Sequence, residues 1–348
     1  MIARVLLAEP RGFCAGVEMA IKALTWMVRV FEPPIFCYHE IVHNAAVVAE
    51  FERAGVTFVD DIGAAPPGSV VMLSAHGSGP AVVTAATAHA AVLVDAVCPL
   101  VTKVHHEVKR AAAQGFDILY VGHEGHDEAL GAIAQAPGSV TLVDPDIGLA
   151  DFRASDPGKV ALLAQTTLGM YEWEGVLDDA QQQYQGVHTS RKSDLCYATT
   201  NRQVAVEELA KHATLILVVG SENSSNTQAL VRVAGNAGVT AHRIDGPDDI
   251  HPNWLDGHEV VGVTAGASAP DERVQSVVAR LAPAAGIEMI RVTQEDEYFP
   301  LPPTLRKLIH TLQALVEAGY ACSDPGRPGP VDEDRDWGAT EALELLQN

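Results

Sequence analysis

Short runs of β-branched and aliphatic residues recur along the whole chain, and stretches with helical spacing follow many of them. The runs fall at residues 5–8, 35–38, 70–74, 92–97, 118–122, 160–164, 215–220, 260–264 and 289–292. Most lack the apolar–polar alternation of a half-buried strand, which predicts strands covered on both faces of a parallel sheet. Amphipathic patterns at 18–30, 45–54, 104–114, 201–211, 227–235 and 269–281 predict helices among them. Repeated βα units of this kind give an α/β architecture with right-handed crossovers.

Polar residues gather where the strands end. Residues 39–44 close one strand with His43 and Asn44, and 74–79 close another with His76. The segment 122–128 carries His126 and Glu128, 165–167 carries Thr166, 220–226 carries Ser224, Ser225 and Asn226, and 265–268 ends in Ser268. Parallel sheets collect ligand sites outside the carboxyl ends of their strands, so these are the candidate functional positions.

Three cysteines share this placement. Cys14, Cys98 and Cys196 each precede a helical pattern, and Pro99 fits the first turn of the helix after Cys98. The positive end of a helix dipole favours the thiolate there, the form that binds metal. Separations of 84 and 98 residues suit a small α/β domain. The expected division is therefore three similar domains, 1–97 (with the N-terminal strand and Cys14), 98–192 and 193–285, with a polar joint near 191–195. A closing strand and segment follow at 286–318. Residues 319–348 read as a mobile acidic Pro/Gly-rich tail with a short helix-capable end at 340–346.

Composition narrows the partners. A net charge of −22 argues against a nucleic-acid surface and against anionic membranes. The longest apolar run is of strand length, and the opening residues are charged too soon for a secretory signal. Five cysteines, an odd count without the density of a disulfide scaffold, point to a reducing, cytoplasmic setting.

The chemistry has competing readings. Any one of the cysteines alone reads as core packing. No C-x-x-C pair is present, so a compact zinc site is disfavoured, whereas three widely spaced thiolates suit an iron–sulfur cluster with one iron left open. His43, His76 and His126 together with Ser224, Ser225, Asn226 and Ser268 make an anion cradle rich in donors. Each serine run reads equally well as simple N-capping. Glu128 near bound anions is a candidate proton donor, with Thr166 to orient it; its plain alternative is an exposed acid in a first helical turn.

Nine ordered motifs then converge. They are Arg-Gly-Phe-Cys-Ala-Gly-Val at 11–17, Val-His-Asn at 42–44, Ser-Ala-His-Gly at 74–77 and Cys-Pro-Leu-Val-Thr-Lys-Val-His at 98–105. Gly-His-x-Glu at 125–128, Gln-Thr-Thr-Leu at 165–168, Cys-Tyr-Ala-Thr-Thr-Asn-Arg-Gln at 196–203, Val-Val-Gly-Ser-x-Asn-Ser-Ser-Asn at 218–226 and Val-Thr-Ala-Gly-Ala-Ser-Ala-Pro at 263–270 complete the set. Over residues 2–308 the chain resembles the 4-hydroxy-3-methylbut-2-enyl diphosphate reductases, the LytB/IspH family.

The resemblance implies a three-domain α/β trefoil around a central [4Fe–4S] cluster held by Cys14, Cys98 and Cys196. It implies reductive dehydroxylation of an allylic diphosphate to isopentenyl and dimethylallyl diphosphate, the last step of the non-mevalonate pathway. His43, His76, His126, Ser224, Ser225, Asn226 and Ser268 would hold the diphosphate. Glu128 would supply protons with Thr166 beside it, His126 would help pass them, and a ferredoxin or flavodoxin would supply electrons. Asp127 stands where the family usually has proline, and Gly79 where it more often has a bulkier residue. The rival readings are an iron–sulfur sensor or scaffold, which leaves Glu128 and the anion cradle without purpose, and a thiolate hydrolase, which leaves two cysteines idle.

Overall fold

The structure is a computed structural model. It describes residues 2–149, 152–189, 194–318, 334–335 and 337–347. In chain order the strands among these residues are β1 (Arg4–Glu9), β2 (Ile35–Tyr38), β3 (Val56–Val59), β4 (Val70–Leu73), β5 (Val92–Asp95), β6 (Asp117–Val121) and β7 (Val140–Val143). They continue with β8 (Val160–Ala164), β9 (His188–Thr189), β10 (Leu215–Val219), β11 (Thr240–Ile244), β12 (Val260–Ala265) and β13 (Ile287–Arg291). The helices are α1 (Ala15–Val30), α2 (Ala45–Arg53), α3 (Pro80–His89), α4 (Pro99–Ala113), α5 (Asp127–Ile133) and α6 (Met170–Gln183). Then come α7 (Tyr197–Ala210), α8 (Ser225–Asn236), α9 (Asp271–Leu281), α10 (Pro303–Glu317) and α11 (Ala339–Glu344).

These strands form three sheets with orders β11-β10-β12-β1-β13, β3-β2-β4-β5 and β7-β6-β8-β9. Every ladder described is parallel, as the unalternating apolar runs predict. The chain therefore contains three small α/β layers. It divides into two compact units, one of residues 1–14 with 100–296 and the other of 15–99 with 297–348.

In the first unit the pleat of the five-stranded sheet sorts side chains to two cores. Val5, Leu7, Leu215, Leu217, Val261 and Val263 pack on α9 through Val274, Val277 and Val278. Their neighbours Leu6, Ala8, Ile216 and Val218 pack on α7 and α8 through Val206, Leu209, Leu230 and Val233. A one-residue slip of any of these strands would exchange the two sets. The second sheet of this unit is built the same way, with Leu119, Val121 and Leu162 against α6 and with Ile118, Tyr120 and Leu163 against α4 and α5.

The N-terminal strand differs from expectation. The sequence groups it with residues up to 97, yet β1 pairs with β12 and β13. Its Leu-Leu-Ala run supplies apolar side chains to both faces, and an interior place between two strands buries both. Residues 190–193, most of the expected joint between domains, lie outside the described residues.

In the second unit, Phe36, Val71 and Leu73 pack with Ile62 and with Ala86 of α3. Part of the tail also differs from the mobile segment expected. Residues 319–333 lie outside the described residues, but α11 packs on α1 in this unit. Lys22 and Asp334 form a buried ion pair at 2.9 Å, and the Lys22 ammonium lies 5.0 Å from the Trp337 ring centroid. Trp337 meets Trp26 edge-on at 6.0 Å, and Ala339, Ala342 and Leu343 are buried.

No helix among the described residues is long and apolar enough to cross a membrane.

Candidate functional site

Nine of the predicted site residues lie in the first unit: eight follow β1, β6, β8, β10 or β12, on the loops there or the helices that start from them, and Cys196 is the N-cap of α7. Glu128 sits in the first turn of α5. His126 caps that helix, its Nδ1 accepting from the Glu128 N–H at 3.2 Å. An accepting Nδ1 puts the proton of a neutral imidazole on Nε2.

Glu128 is 2% exposed. One residue satisfies both of its oxygens: the Thr166 N–H donates to Oε1 at 2.7 Å, and the Thr166 hydroxyl donates to Oε2 at 3.0 Å. Burial pushes the carboxyl up to about 7; the two Thr166 bonds pull the other way, and the nearby charge of Asp194 adds to the rise. A carboxyl so placed holds a transferable proton near neutral pH.

Thr166 also reaches the cysteines. Its carbonyl accepts the Cys196 N–H at 3.0 Å. Cys196 caps α7, with Sγ accepting from the Thr199 N–H at 3.3 Å and lying 3.1 Å from the Thr199 hydroxyl. Burial and the proximity of Cys14 push the Cys196 thiol up to about 11, against the pull of the Thr199 bonds and of Arg202. The helix-end argument for a ready thiolate is thus outweighed at Cys196. Burial and a second thiol dominate, and a bound cation is what would reverse the balance.

Cys14 is held by its own N–H, which donates to Ala267 O at 3.2 Å. Two residues earlier Gly12 has φ +66°, and a Cβ there would stand 3.1 Å from Ala269 O. Only glycine fits this turn comfortably.

The helix α8 begins among the predicted anion ligands. Ser224 Oγ accepts the Thr227 N–H at 3.3 Å, so the plain capping role of the serine run is real. Ser225 Oγ accepts from Gln165 Nε2 at 3.0 Å. Asn226 is 3% exposed; its Oδ1 accepts from Ala267 N–H at 3.0 Å and its Nδ2 donates to Thr199 Oγ1 at 3.4 Å. Asn226 thereby ties the Cys196 helix to the buried loop that carries Ser268.

The second unit carries His43, His76 and Cys98. The two imidazoles stack with centroids 4.0 Å apart and planes at 15°. His43 Nδ1 lies 3.3 Å from Glu40 Oε2, and Asn44 caps α2 through the Val47 N–H at 3.2 Å. The Cys98 N–H donates to Ala75 O at 3.0 Å, which fastens it to the loop bearing His76. Cys37 is buried in β2 and burial pushes its thiol far up, in keeping with a core residue. Cys322 lies outside the described residues.

Sequence reasoning passed over several residues of the first unit. Asp194 Oδ2 accepts the Ala164 N–H at 3.2 Å, at the end of β8 and two residues before Cys196. Gln165 binds the His123 N–H through Oε1 at 3.2 Å and Thr167 Oγ1 through Nε2 at 2.8 Å. Arg202 is fully buried and hydrogen-bonded to the Cys14 loop. The available signal was the row Asn201-Arg202-Gln203, three polar residues in succession inside a helical pattern. One face of a helix cannot expose all three.

The donor set suits an iron–sulfur cluster. Cys14 lies near enough to Cys196 to help raise its thiol, the two form no disulfide, and backbone carbonyls pin both; soft donors so placed fit such a group.

Known proteins resemble this chain over most of its length. A family model described as LytB protein matches residues 5–282. The 4-hydroxy-3-methylbut-2-enyl diphosphate reductase of Mycolicibacterium paratuberculosis is 45% identical over 307 residues, 87% of this chain and 92% of the relative. That of Bordetella bronchiseptica is 44% identical over 315 residues, 90% of this chain and 97% of the relative. Among solved structures, the E-1-hydroxy-2-methyl-but-2-enyl-4-diphosphate reductase from Plasmodium falciparum superposes with a TM-score of 0.86 at 29% identity, covering 90% of this chain and 100% of the other. With four-fifths of its length matched by the family model, the chain belongs to the LytB protein family.

Proposed function

We propose that this chain is an oxidoreductase that removes the hydroxyl of 4-hydroxy-3-methylbut-2-enyl diphosphate as water, giving isopentenyl and dimethylallyl diphosphate. The names of its relatives support the substrate and the reductive chemistry. A further solved structure, with a TM-score of 0.55 at 27% identity, is that of a reductase described as the terminal enzyme of the non-mevalonate pathway.

The reaction consumes two electrons and two protons for each hydroxyl lost. A [4Fe–4S] cluster on Cys14, Cys98 and Cys196 would supply the electrons and a Lewis-acidic iron. The protein's own part is to grip the diphosphate and to feed protons. Ser224, Ser225 and Asn226 start a helix of twelve residues, whose N-terminal dipole favours an anion. Ser268, His43 and His76 complete the grip in this proposal, and His126 adds the proton on its Nε2. Glu128 holds a proton near neutral pH and passes it toward the departing hydroxyl, with Thr166 Oγ1 fixing the carboxyl. A small electron carrier such as ferredoxin or flavodoxin recharges the site in a cytoplasmic setting.

The observation that carries the proposal is the buried carboxyl of Glu128, held on both oxygens by the same Thr166 that receives the Cys196 N–H. A sensor or scaffold has no use for such an acid. The deciding experiment is anaerobic assay of the purified protein with chemical reductant and the allylic diphosphate. Iron-containing protein that forms neither product sinks the reductase reading.

A further inference from the structure

Arg202 is 0% exposed and sits in the second turn of α7, six residues after Cys196. A guanidinium has five N–H donors, and burial obliges each to find an acceptor. Nε and one terminal nitrogen donate to Gly12 O at 3.1 and 2.7 Å, and the same nitrogen donates to Phe13 O at 3.2 Å. The other terminal nitrogen donates to Ala198 O at 3.0 Å and to the Glu295 carboxylate at 3.0 and 3.2 Å. Asn201 Nδ2 adds a bond to the same carboxylate at 3.0 Å.

The acceptors have a pattern. Gly12 O and Phe13 O belong to the two residues immediately before Cys14, and Ala198 O lies in the first turn of the helix that Cys196 caps. The Cys14 loop has no regular secondary structure of its own and contains the left-handed Gly12. Fixing such a loop against a helix takes several directed bonds at once. A planar fork supplies them and an ammonium does not. Glu295 lies beyond β13 and beyond the segment the family model matches, and its carboxylate cancels the buried charge.

We propose that Arg202 is a positioning residue for the cysteine pair, its guanidinium locking the Cys14 loop to the helix that begins at Cys196 while Glu295 holds it and balances its charge. The positional part stands on the protein alone. The electrostatic part rests on the cluster reading above: removing the Glu295 charge leaves an uncancelled cation beside the thiolates. That cation favours the more negative, reduced state of a bound cluster.

Two arms test this with the full chain. In iron-free, reduced protein, iodoacetamide labelling is followed site by site by mass spectrometry, with buried Cys37 as internal reference. Arg202→Lys is expected to raise the Cys14 labelling rate several-fold in a chain whose circular dichroism shows it folded; an unchanged rate overturns the proposal. Glu295→Gln keeps an amide in the same place and serves if the lysine variant does not fold. It is expected to speed Cys14 labelling less and, after anaerobic reconstitution, to move the midpoint potential upward. A purely structural role leaves that potential where it was, so unchanged labelling with unchanged potential in Glu295→Gln overturns the proposal. Wild-type protein that takes up no iron sinks the cluster reading, and the labelling arm still decides the lock.

Discussion

One residue, Thr166, satisfies both oxygens of the buried Glu128 carboxyl, through its N–H at 2.7 Å and its hydroxyl at 3.0 Å. Such a pair fixes the direction in which the acid faces, while burial, against the pull of both bonds, leaves it near the middle of its titration at neutral pH. On the proposed reading, function is tied to the state of a single carboxyl.

Replacing that carboxyl gives the first prediction. Glu128→Gln keeps the shape and the iron content but removes the acid, and turnover is expected to drop by about a hundred-fold to ten-thousand-fold. In the wild type, turnover with a chemical reductant falls as pH rises through about 7, because the proton-bearing form is lost. A steady-state pH profile checks both, and the same alkaline limb in the glutamine variant would refute the assignment.

Stability carries the same signature with a definite sign. Glu128 has a folded-state value above its ordinary carboxylate value of 4.5. Its protonated form is therefore favoured by folding, and the associated stability is fully present below the unfolded value and lost as pH rises through about 7. For iron-free protein the loss between pH 5 and pH 9 is on the order of 3 kcal/mol from this group. Urea denaturation at the two values measures it, and Glu128→Gln is expected to flatten the difference.

Gly12→Ala probes the Cys14 loop. The residue has φ +66°, and the new Cβ would meet Ala269 O at 3.1 Å. The strain costs about 1–3 kcal/mol. Because the loop also presents Cys14, the variant is expected to bind less iron per chain. A colorimetric iron assay against wild type decides it.

The C-terminal helix offers a test far from the chemistry. Asp334→Asn leaves Lys22, 4% exposed, without its partner charge. Breaking one side of a buried pair costs about 3–5 kcal/mol. Chemical denaturation is expected to show that loss, while deletion of residues 319–348 shows a different one, since Lys22 then regains water.

The predicted strands and the predicted helices are present, because a parallel sheet leaves an apolar run in the sequence and its helices an amphipathic one. Two of the elements that escaped had neither mark. β11 reads Thr-Ala-His-Arg-Ile because it is an edge strand with half its surface in water. α3 reads Pro-Ala-Val-Val-Thr-Ala-Ala-Thr-Ala-His, small and apolar on all sides, so its spacing points nowhere. The candidate site residues stand out in the sequence as polar clusters at strand ends, but their supports do not. Asp194, Arg202 and Glu295 act by hydrogen bonds to groups far along the chain, and no local spacing records such a bond. The helix α11 was legible as a helix-capable end, but its docking on α1 was not, because a composition rich in acids hides one buried aspartate among several exposed ones.

The geometry around Thr166 has a consequence for damage and repair. The bonds that orient Glu128 come from protein groups alone, so they exist before any metal arrives. On the proposed cluster reading, a molecule that loses its iron to oxygen keeps that acid in register, and restoring it requires iron, sulfide and electrons but no rebuilding of the proposed proton supply.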